Sequence, residues 1–501
     1  MRAAFARARA ARRFPLIAGW HRGSWLLLIL GLLVACEQKE PGREPSGTGA
    51  SGAGAAPVAP VEGGGSDVGG DAAGRAAGAA SARDAGGMDT VGVSGGRPAD
   101  DVRGASGTGA PIAGMTAQSG AGAPELDPSD ELYDEEALPR FEITLPESSI
   151  AMLRADGDSY VPGELRYGDE TVSNIGVRIK GSASRRTLDE KAAFKLKFDE
   201  YVPDQTFRGL RRLTLNNMVE DPSFIAERLA YAVFRAAGLP APRCNNALVS
   251  VNGEPYGVYA NVESEDKTFL RRWFADEDGN LYEVAGSDFV AGAEQSFELE
   301  TNEAVNDRSD LRALIAALAN TSAGSFLADM EQVLDLPRFL RFTAAEAAVN
   351  QWDMYAYTVF YPNNFRLYRD PSTQKFAFLP GGMDLAMKPF LETGRPHIAI
   401  YELARERDQP EGPVTAGLLF QRCLESEACR AQYRDAVREI VAVYDSLELE
   451  AKAQRYHEQI AAHVLADPRK PYDAEQVEAG YQKVLATIRE RPIAIRDELD
   501  R

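Results

Sequence analysis

The chain has 501 residues, of which 26% are charged and 44% hydrophobic, with 75 Asp and Glu against 55 Lys and Arg and a formal charge of −20. So acidic a protein is a poor partner for nucleic acid or for an anionic membrane surface, and neither is expected. Four cysteines and four histidines, none in a zinc-type spacing, argue against a soft-metal centre.

Residues 1–35 carry Arg2, Arg7, Arg9, Arg12, Arg13 and Arg22, no acid, and then the apolar run Trp25–Ala35. That run is shorter than the ~20 residues a membrane-spanning helix needs, so the segment reads as a signal peptide. Its end, Leu33-Val34-Ala35-Cys36, resembles the lipobox of bacterial lipoproteins. The resemblance implies cleavage before Cys36, a lipid on its thiol, and an exported protein held to the membrane or cell surface by that lipid alone. An ordinary secretory signal followed by an incidental cysteine is the alternative.

Residues 36–135 are mostly Gly, Ala, Ser and Pro, too poor in large apolar side chains to offset chain entropy, and are expected to form a disordered tether. Folding is expected to begin after the acidic run 127–136, near Phe141–Leu145.

Residues 136–265 read as strand-rich. Val177–Lys180 and Phe194–Phe198 alternate apolar and basic residues, the period of half-buried strands. Arg211–Asn216 and Ala247–Val251 follow the same rule, and Asn252-Gly253 supplies a hairpin turn before Tyr256–Val262. Among them one helix is expected, from Asp221-Pro222 to a stop at Gly238, with an apolar stripe of Ile225, Leu229, Ala232, Val233 and Ala236.

Residues 266–501 read as helical: Leu311–Leu318, Leu336–Val349, Val414–Tyr444, Leu447–Leu465 and Ala474–Leu499, interrupted by a strand pair, Phe365–Tyr368 and Phe376–Leu379. A strand-rich part joined to a helical part gives an α+β fold class in two lobes. Cys423 and Cys429 either bridge a short loop or sit reduced on a helix. The acidic turns Asp156–Asp158 and Asp276–Asn280 lack the spacing of a calcium loop and read as solvated turns.

The order of motifs, Gly176–Ser184, Phe194–Asp199, Leu213–Asn217, Tyr256–Tyr259, Glu263, Asp266-Lys267 and then 352–384, is similar to the CotH family of spore-coat-protein-H-like atypical kinases, over roughly residues 141–501. That resemblance implies a divergent protein-kinase-like fold transferring phosphate from ATP, with Mg²⁺ or Mn²⁺, to Ser or Thr hydroxyls of a protein substrate. Phosphoryl transfer needs cations against the triphosphate, oxygen ligands for the metal, and a carboxylate to orient the attacking hydroxyl.

Lys195 and Lys197 share one strand face, and Lys195 by preference is the lysine for the α/β-phosphates, with Glu227 as its helix partner; alternatively both lysines coat a solvent face. Arg178 and Lys180, ahead of Gly181-Ser182-Ala183-Ser184, form a second basic turn suited to phosphate, although no GxGxxG loop is present. Asp384 occupies the last position of the family's Trp-Asp-x-Asp pattern as a metal ligand, whereas Gly381 and Gly382 replace the Trp and the first Asp. Asn364 is the second metal ligand, or else part of an ordinary turn. Asp353 is the expected catalytic base, or else a structural cap; it precedes Asn364 by eleven residues where protein kinases have about five, which requires an insertion. A kinase fold that has lost activity and serves as a surface binding or assembly protein remains the rival reading, favoured by Gly382.

Overall fold

In the computed structural model the described residues are 127–284, 286–358, 361–389, 397–401 and 417–501. Cys36, the signal segment and nearly all of the tether lie outside them.

Seven strands make a closed barrel: β1 (Arg140–Thr144), β2 (Val161–Tyr167), β3 (Glu170–Lys180), β4 (Ala193–Lys197), β5 (Arg212–Asn216), β6 (Cys244–Val251) and β7 (Glu254–Glu263), in the order β1-β2-β3-β4-β5-β7-β6. Alternation dictates the sides. Phe194, Leu196, Leu213 and Leu215 are fully buried inside, which turns Lys195, Lys197, Arg212 and Thr214 outward. Antiparallel register sets Arg178 opposite Lys195, and Lys195 opposite Thr214.

The expected Asn252-Gly253 turn joins β6 to β7, both residues at positive φ (51° and 81°), where the absence of a Cβ on Gly253 removes the steric cost. The Asn252 amide also donates to the carbonyl of Leu145 and accepts from its N–H, at 2.9 and 2.7 Å, fixing the strand that closes the barrel.

The folded chain starts earlier than the composition suggests. Leu132 and Tyr133 are buried, and the acids around them find cations on the folded body: Asp130 with Arg243, Glu131 with Arg208, and Glu135 with Lys452. A run of like charge reads as solvated chain only while its partners, more than 70 residues away in sequence, stay out of view.

Besides a short helix α1 (Glu147–Ala155), the barrel carries α2 (Ala226–Ala236). The latter begins later than expected because Asp221 spends its carboxylate on the N–H groups of Ser223 and Ala226, both at 2.9 Å, and Phe224 turns at φ 62°. Instead of showing one apolar stripe it is buried on every side from Ala226 to Phe234, Glu227 and Arg228 included.

Beyond the barrel lie α3 (Lys267–Trp273) and a four-stranded sheet of β8 (Leu281–Val284), β9 (Phe297–Leu299), β10 (Phe365–Asp370) and β11 (Lys375–Pro380), ordered β11-β10-β8-β9. The expected strand pair is therefore the half of a sheet whose other half, two very short strands, is invisible to periodicity. Helices α4 (Ser309–Asn320), α5 (Phe326–Met330) and α6 (Leu336–Ala348) lead to α7 (Leu418–Glu425), α8 (Glu427–Ser446), α9 (Leu449–Ala466) and α10 (Ala474–Leu499).

The single helix expected over Val414–Tyr444 is two helices in its described part. They break at Ser426, whose hydroxyl accepts from the Cys429 N–H, and the Cys423–Cys429 disulfide closes the break. Among the described residues no helix is long and apolar enough to cross a membrane.

Candidate functional site

Helix α6 delivers the first functional side chain. After it the chain turns at Asn350 (φ 52°), whose side chain donates to the Lys388 carbonyl at 2.7 Å and accepts from the Ile398 N–H at 3.0 Å. Gln351, fully buried, donates to the Gly382 carbonyl at 2.8 Å. Asp353 is thus tied to the segment that carries Asp384. The Asn364 amide donates to both the carbonyl and Oδ2 of Asp353, at 2.8 and 2.7 Å. The insertion between them is ordered in its described part, where the buried Glu346 carboxylate accepts the N–H groups of Ala356 and Tyr357 at 3.0 and 2.8 Å.

Asn364 and Gly382 both take the left-handed conformation, at φ 49° and 56°. A Cβ on Gly382 would lie 2.7 Å from Asn364 Oδ1, and one on Gly381 2.7 Å from an Arg366 guanidinium nitrogen. The two glycines that depart from the family pattern are what let Asn364 and Arg366 approach so closely. Asn350 and Met387, which flank this site in the chain, also have positive φ.

Electrostatically Asp384 is the hub. Burial pushes the Glu227 carboxyl well above the usual carboxylate range, and the largest charge acting on it is Asp384. Asp353 is pushed up to about 7 by burial first and Asp384 second, and Glu220 is raised by the same two causes in the same order. Three carboxyls answering to a fourth means the group is crowded with negative charge. Among the described residues Lys180, Lys388 and Arg186 are the cations acting here. Lys180 donates its ammonium to Asn216 Oδ1, and the Asn216 amide donates to both oxygens of Glu227 at 2.9 Å. Lys388 donates to the Glu220 carbonyl at 2.7 Å, and Arg186 acts on Glu220 through its charge.

The structure therefore brings Asp353, Asn364, Asp384, Glu227 and Lys180 together, but gives Lys195, Lys197 and Arg178 other partners. The lysine linked to Glu227 is Lys180, through Asn216, and not Lys195. Lys195 faces Glu300 and Glu283, with burial lowering its pKa. Around it Arg366 bridges Glu265 and Glu283 at 2.8 and 3.0 Å, and Arg212 pairs with Glu300 at 3.0 Å. Lys197 pairs with Glu200 at 2.7 Å, and Arg178 covers the Tyr160 ring at 5.3 Å.

Glu263 is buried between Arg243 and Arg272. Asp266 caps α3, and Lys267 pairs with Asp278. Two parts of the acidic turns are likewise spent on basic side chains, Asp158 on Arg185 and Glu277 on Arg271.

Among the described residues no three His, Cys, Asp or Glu side chains form a group able to hold a metal by themselves. Mg²⁺ does not require one, since it keeps several waters and takes one or two carboxylates together with phosphate oxygens. An acid-crowded, oxygen-only set of Asp384 and Asn364, with Asp353 and Glu227 raised beside them, fits such a hard cation.

The description "CotH kinase protein" fits residues 177–494 of this chain, a span that takes in every residue of the site. The chain belongs to the CotH kinase family. Two CotH relatives come from Bacillus subtilis (strain 168). Inner spore coat protein H is 24% identical over 377 residues, covering 72% of this chain and 98% of that protein, and the inner spore coat protein H-like protein is 24% identical over 312 residues, covering 62% and 85%. Among solved structures, the Helicobacter pylori proinflammatory kinase CtkA overlaps 64% of this chain and 92% of its own, with 12% identity and a TM-score of 0.30, too loose a superposition to argue from.

Sequence reasoning missed Asn216, Glu220, Lys388 and Asn350. The first had a signal: on a strand of alternating sides, Asn216 shares the outer face of Thr214 and Arg212.

Proposed function

We propose that this CotH protein is an atypical protein kinase that moves a phosphoryl group from ATP to a Ser or Thr hydroxyl of an exported or surface protein. In this reading the barrel with α2 (136–265) and the remainder (266–501) are the two lobes of a divergent kinase-like fold, and the phosphates enter beside Asp384. The observation that carries the reading is the convergence of Asp353, Glu227 and Glu220 on Asp384 next to Lys180, in a chain of this family.

Asp384 and Asn364 are the side chains that would hold Mg²⁺ or Mn²⁺, and the metal when bound supplies charge neutralisation to the phosphates. Asp353 takes the hydroxyl proton, with its Oδ2 held in place by the Asn364 amide. Lys180 faces the phosphates, oriented by Asn216 and Glu227. Lys195, Lys197 and Arg178 support the same barrel face from their own partners. Export as a lipoprotein through Cys36 is part of the proposal, supported by the lipobox resemblance, by the disulfide and by the spore-coat names of the relatives.

A second reading, a CotH fold without activity that binds or assembles at a surface, is favoured by Gly382, which leaves the family's first metal-side Asp absent. Incubation with labelled ATP and Mg²⁺ or Mn²⁺ separates the two. Wild type should incorporate label, and Asp384→Ala and Asp353→Asn should each lose about 100-fold or more. Equal labelling of all three, or none in wild type, would hand the case to the second reading.

A further inference from the structure

Between β3 and β4 the chain makes an irregular loop, residues 181–192, that leaves the barrel immediately after Lys180 and carries Arg186, which with Lys388 acts on Glu220 through its charge. The loop opens with a tight turn: Gly181 sits at φ 107°, and a Cβ there would lie 2.8 Å from Ser184 Oγ. With no strand partner of its own, it is fastened by side chains. Asn217 donates its amide to the carbonyls of Ser184 and Lys191 at 2.9 and 2.7 Å.

From the barrel the Tyr259 hydroxyl donates to the Ala192 carbonyl at 2.7 Å, and Arg154 and Asp158 pair with Asp189 and Arg185 of the loop. The turn between α9 and α10 adds a further set. Arg469 directs one guanidinium nitrogen at three successive carbonyls, those of Leu188, Asp189 and Glu190, at 3.2, 2.9 and 2.7 Å. Its guanidinium stacks on the Tyr256 ring at 4.0 Å, and the Tyr256 hydroxyl donates to the Leu188 carbonyl at 2.7 Å. Lys191 forms an ion pair with Asp467, both side chains at 2% exposure or less. Asp467 also accepts from the N–H of Val258 at 3.1 Å and of Arg469 at 2.8 Å. Gly257 makes room for this contact, since any Cβ there would overlap the carboxylate.

We infer that Arg469 is a positioning residue for nucleotide: reaching across from the helical half, it holds loop 181–192 in the conformation that presents Arg186 to the phosphates beside Lys180, which the β3 ladder itself fixes. The inference rests on the kinase reading above. A loop without strand partners samples many conformations once its carbonyls are released to water, and apparent affinity falls by the fraction of molecules that keep the competent one. Once nucleotide is bound the loop is ordered again, so turnover at saturating ATP should hardly change.

The test compares the full chain with Arg469→Ala and Arg469→Lys by steady-state kinetics in ATP and by hydrogen exchange without nucleotide. Arg469→Ala should raise KM for ATP about tenfold, leave kcat within about twofold, and speed exchange in 181–192 but not in α9 or α10. Arg469→Lys, which keeps a cationic donor near the carbonyls, should recover part of the KM. An unchanged KM, or a kcat that falls in step with it, overturns the positioning role and leaves the kinase reading standing. If wild type neither binds nor turns over ATP, the kinase reading falls, and this inference with it.

Discussion

Two charged clusters lie on the outer side of the barrel, and they obey opposite rules. Around Lys195 the acids Glu265, Glu283 and Glu300 are matched by Lys195, Arg212 and Arg366, and Arg366 draws the Glu283 carboxyl well below its usual range. Around Asp384 burial first and the charge of Asp384 second drive the Asp353 and Glu227 carboxyls up. In the first cluster every acid has an ion-pair partner, although burial still raises the Glu265 carboxyl and Lys180 also acts on Glu283. Among the described residues the second sets Lys180, Lys388 and Arg186 against Asp384, Asp353, Glu227 and Glu220, a shortage of positive charge that a bound divalent metal ion would relieve.

The sharpest way to break this contrast is to remove one lysine from each side. Lys180→Met should cut phosphoryl transfer about 100-fold with little change in melting temperature, whereas Lys195→Met should leave most activity and act mainly on stability. If Lys195→Met proves the more damaging to transfer, the two clusters have been assigned the wrong way round.

A second blow falls on the paired cluster. Arg366→Ala leaves Glu265, at 9% side-chain exposure, without its cation, and should cost about 3 kcal/mol in urea unfolding. A loss under about 1 kcal/mol would mean that solvent already pays for this pair.

The smallest effect is a pH dependence. The folded-state pKa of Glu283 lies below its ordinary value of 4.5, so its pairing with Arg366 stabilises the fold above pH 4.5 and that contribution fades as the pH falls toward 2. The side chain is 39% exposed, so the effect is modest. Glu283→Gln should flatten this part of the stability curve, and an unaltered acid limb would show the pair to be idle.

The residues that pattern alone could reach were those whose chemistry is local. Asp353, Asn364 and Asp384 stand out because an acid or amide amid Trp, Tyr and Phe demands a reason, and the structure gathers them. The lysine opposite Glu227 was harder. Lys180 and Lys195 both point outward, and which of them meets Asn216 follows from a register that pairs Arg178, not Lys180, with Lys195. Register is set by partners far along the chain. The same holds for the acidic stretch 127–136, which reads as solvated chain until Arg208, Arg243 and Lys452 are seen to face it. Strands of three or four residues such as Phe297–Leu299 are too brief for any period to register.

The bond between Cys423 and Cys429 bears on how the molecule is handled at the bench. Made in an ordinary bacterial cytosol, the polypeptide would emerge with both thiols free and the elbow at Ser426 unstapled, whereas secretion would deliver the stapled form. Two laboratories using different hosts would then be assaying two covalent species under one sequence, and mass spectrometry with and without a thiol-alkylating reagent tells them apart.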